Sequence, residues 1–552
     1  MKKIIFLFSI SLLLFNCTEP KQGQYRTPVK PTKNVILMIP DGTSIGVVSA
    51  ARWYQIYNKL GADRLAIDPY LCGTVKTYNS NAPIGDSAPT TSCYMTGYLS
   101  QAGNVAIYPA VDSVHDIHPV DPARSYQPLT TVLEAAKYDL KKSTGLVATV
   151  EFTHATPADC SSHYYDRGNY KYLASQIANN DIDVVIAGGV KELSDPMRTY
   201  LESRGTQIIT DDLAAFKEYD ASKNVWALFT EGAMPLDIDR DESKYPSLEE
   251  MTRTAIDRLS KNENGFFLMV EGSQVDWAAH SNDAVGIITE YLAFDRAVQA
   301  AIDFAEKDGN TTVVVLSDHG NSGFTIGVKG FKNYTRRGLD DYFGTISGYK
   351  VSGRQLHTLL LQAKTEDYKN IIKENTGLEL QDDEFKQLVD LRSKLEDDYT
   401  KIGNSVNFES YVNQLMNARL PFGFTTGGHT GEDVLLAVYH PAGDVPMGMN
   451  TNVELNKYLC DVVGLTRPLD DITDEIFAKH TDVFAGMDYS IDVSQDFPVL
   501  TVKDGTNELV IPAFASVAKL NDKEVKLNSV TVYMDKNETF YVPRSLKAEL
   551  KK

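Results

Sequence analysis

Residues 34–43 read NVILMIPDGT: the apolar, β-branched run Val35-Ile-Leu-Met-Ile39 followed by Pro40-Asp41-Gly42. A near-continuous apolar run closed by a turn reads as a strand buried on both faces rather than on one. Five further runs share that character: Leu146–Val150, Val184–Ala187, Phe266–Val270, Thr312–Leu316 and Val434–Val438. Helical spacing lies between them, at Ser49–Tyr57, Leu129–Ala136 and Ile287–Ala305. Strands alternating with helices predict an α/β domain with a mostly parallel central sheet flanked by helices. Ligands of such sheets bind beyond the carboxyl ends of the strands, so the residues following each run are the first to inspect.

Those residues carry chemistry. The run at 266–270 is followed by Glu271, the run at 312–316 by Ser317-Asp318-His319, and the run at 146–150 by EFTHATP, which contains His154 and Thr156. A carboxylate after a strand is commonly a helix cap. Four strand ends bearing ligand-type side chains exceed what capping requires. In EGSQVDWAAH, Asp276 and His280 stand four residues apart, on one helix face and close enough to share a cation, with Glu271 just ahead of them. His429 sits on a glycine-flanked turn, GGHTG. In GDSAPTTSCYMTG (85–97), Asp86 or Ser87 caps a helix that ends at Gly97. That places Ser87 at a helix N-terminus, where free N–H groups and the dipole favour an anion.

The chain has 552 residues, 43% of them hydrophobic, and a net charge of -20. Nucleic acid is not an expected partner, because its binding runs on Lys and Arg neutralising phosphates. Lys2-Lys3, the apolar run Ile4–Phe15 and then Asn16-Cys17 read as an export signal of lipoprotein type over residues 1–17. The run is too short to span a membrane. Lipid at Cys17 predicts an exported, periplasmic or cell-surface protein tethered to a membrane, with residues 18–33 as a linker. The other cysteines, Cys72, Cys93, Cys160 and Cys460, allow three full pairings. Residues 34–489 form the expected catalytic domain. Its stretch 320–428 reads as an insertion, with charged helical spacing in 364–400 taken as a solvated face. Residues 490–552 read as a small β-rich appendage, with strands at Val499–Val502, Glu508–Ile511 and Val530–Met534 and a last helix in SLKAEL.

The ordered motifs PDG, DSA, HATP, VEGxxxDxxxH, DH and HTGED, spread over residues 34–445, resemble the alkaline phosphatase family. That resemblance implies a parallel-rich α/β fold and hydrolysis of small phosphate monoesters to alcohol and inorganic phosphate. It implies two Zn2+ and one Mg2+ as cofactors. Asp276, His280 and His429 would hold one zinc; Asp41, Asp318 and His319 the second; Asp41, Thr156 and Glu271 the third metal. Ser87 would be the nucleophile, passing through a phosphoserine, and Arg167 in YYDRG would clamp two phosphate oxygens. Members of the family are often homodimers. His154 and Trp277 stand where some bacterial members have Asp and Lys, which leaves the identity of the third metal open. Pro40 and Thr43 depart from the common GDGMG pattern. Two other functions stay open on these residues: a phosphodiesterase on the same scaffold, its pocket reshaped by the insertion, and a non-catalytic metal-holding surface protein.

Overall fold

A computed structural model describes residues 28–396 and 401–550. The export signal, Cys17 and the first part of the linker lie outside the described residues. The centre of the molecule is a ten-stranded sheet. Eight of its strands are β1 (Asn34–Pro40), β2 (Leu71–Lys76), β3 (Ser143–Glu151), β4 (Val184–Gly188), β5 (Gln207–Thr210), β6 (Val225–Leu228), β7 (Phe266–Gly272) and β8 (Thr311–Leu316). Across the sheet the order is Gly448–Thr451, β2, Val434–Tyr439, β8, β1, β7, β3, β4, β6, β5. Only Val434–Tyr439 runs antiparallel to its neighbours, β2 and β8. The fold is therefore the mostly parallel α/β sheet flanked by helices that the apolar runs predict, and each of the six runs lies in it.

The alternation along β1 shows why those runs are continuous. Val35, Leu37 and Ile39 face one hydrophobic core, and Ile36 and Met38 face the other. Successive side chains of a strand point to opposite faces, so a strand with helices on both sides needs apolar residues at every position. On one face the long helix Ala284–Asp308 and the helix Leu248–Leu259 supply the cover. On the other lie the helices Val132–Tyr138 and Asn452–Val463. The helix sought at Leu129–Ala136 begins only at Val132, because Thr131 and Glu134 form a reciprocal capping box that fixes its start.

Residues 320–430 leave the sheet and return. Two short antiparallel ladders close the base of this excursion: Gly320–Asn321 with His429–Thr430, and Thr325–Ile326 with Phe422–Gly423. Within it, helices Tyr368–Thr376 and Asp382–Ser393 put charged residues outward and bury Ile372 and Leu388. At the C-terminal end, strands Asp488–Asp492, Val499–Asp504, Asn507–Pro512, Val517–Leu520 and Lys523–Lys526 form a five-stranded antiparallel sheet. A separate three-stranded sheet joins Ala478–Lys479, Thr539–Val542 and Val532–Met534. The cysteines Cys72, Cys93, Cys160 and Cys460 are all free thiols. No helix among the described residues is long and apolar enough to cross a membrane.

β1 is the strand on which both cores converge. Leu37→Ala, at a fully buried position, is expected to cost about 3 kcal/mol, read as a lowered midpoint of urea denaturation. Val114→Ala, on an exposed loop residue, is expected to leave that midpoint in place.

Candidate active site

Parallel register brings the chemistry together. Ile39 of β1 pairs with Glu271 of β7, and Met38 pairs with Val315 of β8. Asp41, Glu271 and Asp318 thus emerge within a residue or two of one another at the carboxyl edge of the sheet. The helix Gln274–His280 leaves β7 at once and carries Asp276 and His280 across the same edge. The base of the excursion, where His429 faces Asn321, supplies His429.

Gly42 makes this crowding feasible. Its φ of 59° is left-handed, and a Cβ there would lie 2.2 Å from Asp276 Oδ1. Only glycine lets the turn after β1 pass so close to a carboxylate. The Gly42 N–H donates to Asp318 Oδ1 at 3.0 Å, and Asn321 Nδ2 donates to Asp276 Oδ1 at 2.7 Å.

Asp41, Glu271 and Asp318 are wholly buried, and Asp276 nearly so. Both carboxylate oxygens of Asp41, both of Glu271, Oδ2 of Asp318 and the Thr156 hydroxyl have no hydrogen-bond partner of good geometry among the described residues. Buried carboxylates without a partner are strongly unfavourable unless a cation sits among them. Their electrostatics agree. Burial, and then the nearby Asp318, Asp276 and Glu271, raise the Asp41 carboxyl well above its usual range. Burial pushes Glu271 up to about 8.

The histidines are oriented for the same purpose. His280 Nδ1 donates to the Gly427 carbonyl at 2.9 Å, His429 Nδ1 to the Gly85 carbonyl at 2.9 Å and His319 Nδ1 to the Gly320 carbonyl at 3.1 Å. A carbonyl only accepts, so each Nδ1 holds the proton and each Nε2 presents a lone pair. The Nε2 atoms of His280 and His429 face each other at 3.1 Å, a contact a shared cation would stabilise. Ligand atoms of Asp276, His280 and His429 lie within 4.8 Å of one another, as do those of Asp41, Asp276 and His319, and those of Asp41, His154 and Glu271. His319 Nε2 is 3.5 Å from Asp41 Oδ1 and 3.4 Å from Asp318 Oδ2. This set of carboxylate oxygens and imidazole nitrogens fits divalent metal ions.

Ser87 opens the helix Ser87–Thr96, capped by Asp86, whose side chain accepts from the Ser87 N–H. Its Oγ lies 3.3 Å from His319 Nε2. Arg167 reaches the same place from the loop after Tyr165. Its Nη1 donates to Asp86 Oδ1 at 2.8 Å, and its Nη2 is 3.4 Å from His154 Nε2. Burial acts to raise the Asp86 carboxyl, but Arg167, His319 and His429 hold it below its usual range. Burial, and then Arg167, push His154 down to about 3. Asp86 thus stays anionic beside the arginine while His154 stays neutral.

All the residues singled out in the sequence for this chemistry meet in this one region. The structure adds Asp86 and Asn321, to which sequence reasoning gave no part in the site, and places His154, which the sequence singles out without a definite role. Asp86 pairs with Arg167, His154 joins the group around Asp41 and Glu271, and Asn321 orients Asp276. Asp86 carried a signal as a cap, which hid its second partner. Asn321 lies 45 residues from Asp276 and had none. Trp277 packs edge to face on His154 at 5.8 Å, and the Arg354 guanidinium from the excursion lies 5.2 Å over its ring.

Glu271 and Asp41 give a pH test with a definite sign. Each is an acid whose folded-state pKa is raised, so the metal-free protein binds more protons than its unfolded chain. Their contribution to its stability is fully present below the ordinary glutamate value of 4.5 and is lost as pH rises, for Glu271 through about 8. The melting temperature of chelated protein is expected to drop between about pH 5 and about pH 8, and added Zn2+ or Mg2+ to restore it most at the alkaline end. A melting temperature indifferent to pH and to metal would sink this account of the carboxylates.

The alkaline phosphatase family model matches residues 32–465. Alkaline phosphatase 3 of Bacillus subtilis is 34% identical over 437 residues, covering 77% of this chain and 87% of that protein. The human tissue-nonspecific isozyme is 30% identical over 398 residues, covering 63% of this chain and 73% of its own. Among solved structures, the cold-active alkaline phosphatase of Shewanella sp. superposes with a TM-score of 0.67 at 28% identity, over 79% of this chain and all of that one. The site geometry and the extent of these matches together show that the chain belongs to the alkaline phosphatase family, as a phosphoric monoester hydrolase that works at a metal site.

Proposed function

We propose that hydrolysis proceeds through a phosphoserine at Ser87. The supporting observation is the placement of its Oγ, at a helix N-terminus and 3.3 Å from His319 Nε2, beside carboxylates that lack partners. On this reading Asp276, His280 and His429 hold one Zn2+, and Asp41, Asp318 and His319 a second. Asp41, Glu271 and Thr156, with His154 close by, hold the third ion, assigned as Mg2+. Bound divalent ions would lower the pKa of the serine hydroxyl and offset the negative charge of the phosphoryl group. Ser87 Oγ attacks phosphorus, the bond from phosphorus to the ester oxygen breaks in line, and the hydroxyl proton passes by way of solvent to the departing oxygen, which leaves as the alcohol. Water then attacks phosphorus, the Ser87 Oγ–P bond breaks, and inorganic phosphate departs from a regenerated serine. The positive end of the dipole of the helix Ser87–Thr96 favours the phosphoryl oxygens in both steps. Arg167, aimed by Asp86, donates two parallel hydrogen bonds to them, a geometry lysine cannot supply.

The N-terminal segment extends the proposal to location: export, lipid attachment at Cys17 and tethering at the periplasmic or cell surface. The run KKIIFLFSISLLLFNC supports it, and the mass of the mature N-terminus decides it. A homodimer is the assembly that family membership favours, and sedimentation of the purified protein reads it directly.

Ser87→Ala is expected to lower kcat by at least about a thousandfold while leaving metal content unchanged. Arg167→Ala is expected to raise KM and weaken inhibition by inorganic phosphate, by about tenfold or more. An aryl phosphate monoester is expected to be the better substrate than the matching diester, and chelation to abolish turnover. Full activity in Ser87→Ala, or preference for the diester, would overturn the mechanism.

A further inference from the structure

The match to the family model stops at residue 465, yet the chain beyond it reaches back to the segment that carries Arg167. That segment, Tyr164-Tyr165-Asp166-Arg167, is pinned on its backbone side by residues 103–105. Tyr164 and Val105 exchange hydrogen bonds at 3.0 and 2.8 Å, and the Arg167 N–H donates to the Gly103 carbonyl at 2.8 Å. On the side-chain side, Tyr126 packs on Tyr165 at 6.2 Å, Tyr172 packs on Tyr164 at 5.2 Å and Asp86 pairs with Arg167, and the C-terminal region adds a further hold. The two phenol hydroxyls converge on one carboxylate: Tyr164 donates to Asp535 Oδ1 at 3.3 Å and Tyr165 to Asp535 Oδ2 at 2.9 Å. The Lys536 ammonium lies 4.7 Å over the Tyr165 ring.

A second contact comes from Phe514. Its φ of 58° is unusual for a bulky residue. Its ring stacks on Tyr172 at 4.4 Å and meets the edge of Tyr164 at 6.0 Å. Its carbonyl accepts from Ser175 Oγ at 2.8 Å. Tyr164 is 4% exposed within this aromatic group.

We infer that the C-terminal β region is a brace for the phosphate clamp, and that Asp535 is a positioning residue for Arg167. The inference rests on the reading that Arg167 binds phosphate oxygens. Asp535 directly follows the strand Val532–Met534 of the three-stranded sheet, and its hydrogen bonds go to Tyr164 and Tyr165 rather than to any metal-type residue. Its effect passes through two tyrosines whose backbones set where the arginine starts. Bidentate contact to a tetrahedral anion demands a fixed approach, and slack in the segment carrying the guanidinium loosens it. Asp86 fixes the far end of the Arg167 side chain; Asp535 fixes the chain from which it springs.

The test uses the full-length, metal-loaded enzyme, with inorganic phosphate as the probe. Asp535→Ala is expected to raise KM and the phosphate inhibition constant together, by about threefold to tenfold, the scale of losing one part-buried and one exposed hydrogen bond. Metal content and melting temperature are expected to stay close to those of the parent. Tyr165→Phe, which deletes only one hydroxyl, gives a smaller shift in the same direction and serves if the alanine variant folds poorly. In an Arg167→Ala background, Asp535→Ala is expected to add nothing, because its route to phosphate is gone. Phosphate inhibition unchanged within about twofold in Asp535→Ala and Tyr165→Phe, while Arg167→Ala weakens it, would overturn the inference alone. So would an undiminished effect of Asp535→Ala without Arg167. Unchanged phosphate inhibition in Arg167→Ala would remove the clamp reading, and the inference with it.

Discussion

Four carboxylates, Asp41, Glu271, Asp276 and Asp318, are packed out of water at the edge of one sheet. Like charges at such separations cannot all ionise in a dry pocket on their own. Either protons or cations must sit among them, and the unpartnered oxygens with the converging imidazole Nε2 atoms make cations the better fit. Much of the local architecture follows from this demand. Gly42 lacks a side chain because Asp276 occupies the space. His280, His319 and His429 each spend the Nδ1 proton on a backbone carbonyl, which fixes the ring and frees the other nitrogen.

A parallel sheet is well suited to gathering such groups. Neighbouring strands all end on the same side, so residues hundreds of positions apart arrive at one edge in register. β1, β7 and β8 contribute the central acids in this way, the helix after β7 contributes Asp276 and His280, and the base of the excursion contributes His429. Ser87 is different. It comes from a helix N-terminus, and its position depends on the Asp86 cap and on contact with His319. The metal-type residues and Ser87 therefore come from separate structural devices that meet at His319.

Arg167 shows how a site can depend on parts of the chain far from its motifs. Its guanidinium is held by Asp86 and approached by His154. His154 packs on Trp277, and Trp277 lies beneath Arg354 of the 320–430 excursion. The tyrosines ahead of Arg167 are gripped by Asp535. Both additions to the central sheet thus reach the surroundings of Arg167.

The sequence by itself determined the sheet and the candidate ligand residues. Strands buried on both faces must be apolar at every position, so β1, β3, β4, β7 and β8 stand out as unbroken runs. Residues at strand ends are short-range information, so Asp41, Glu271, Asp276, His280, Asp318 and His319 could be picked from local pattern. The cap at Asp86 and the stop at Gly97 are equally local. Tertiary structure alone decided which of these residues face one another, and what orients them. Asn321 on Asp276, Asp86 on Arg167 and Asp535 on the two tyrosines are contacts between side chains 45, 81 and 370 or more residues apart. A hydrogen bond across such a distance leaves no periodicity or spacing in the chain. It exists only because folding has already brought the two backbones together.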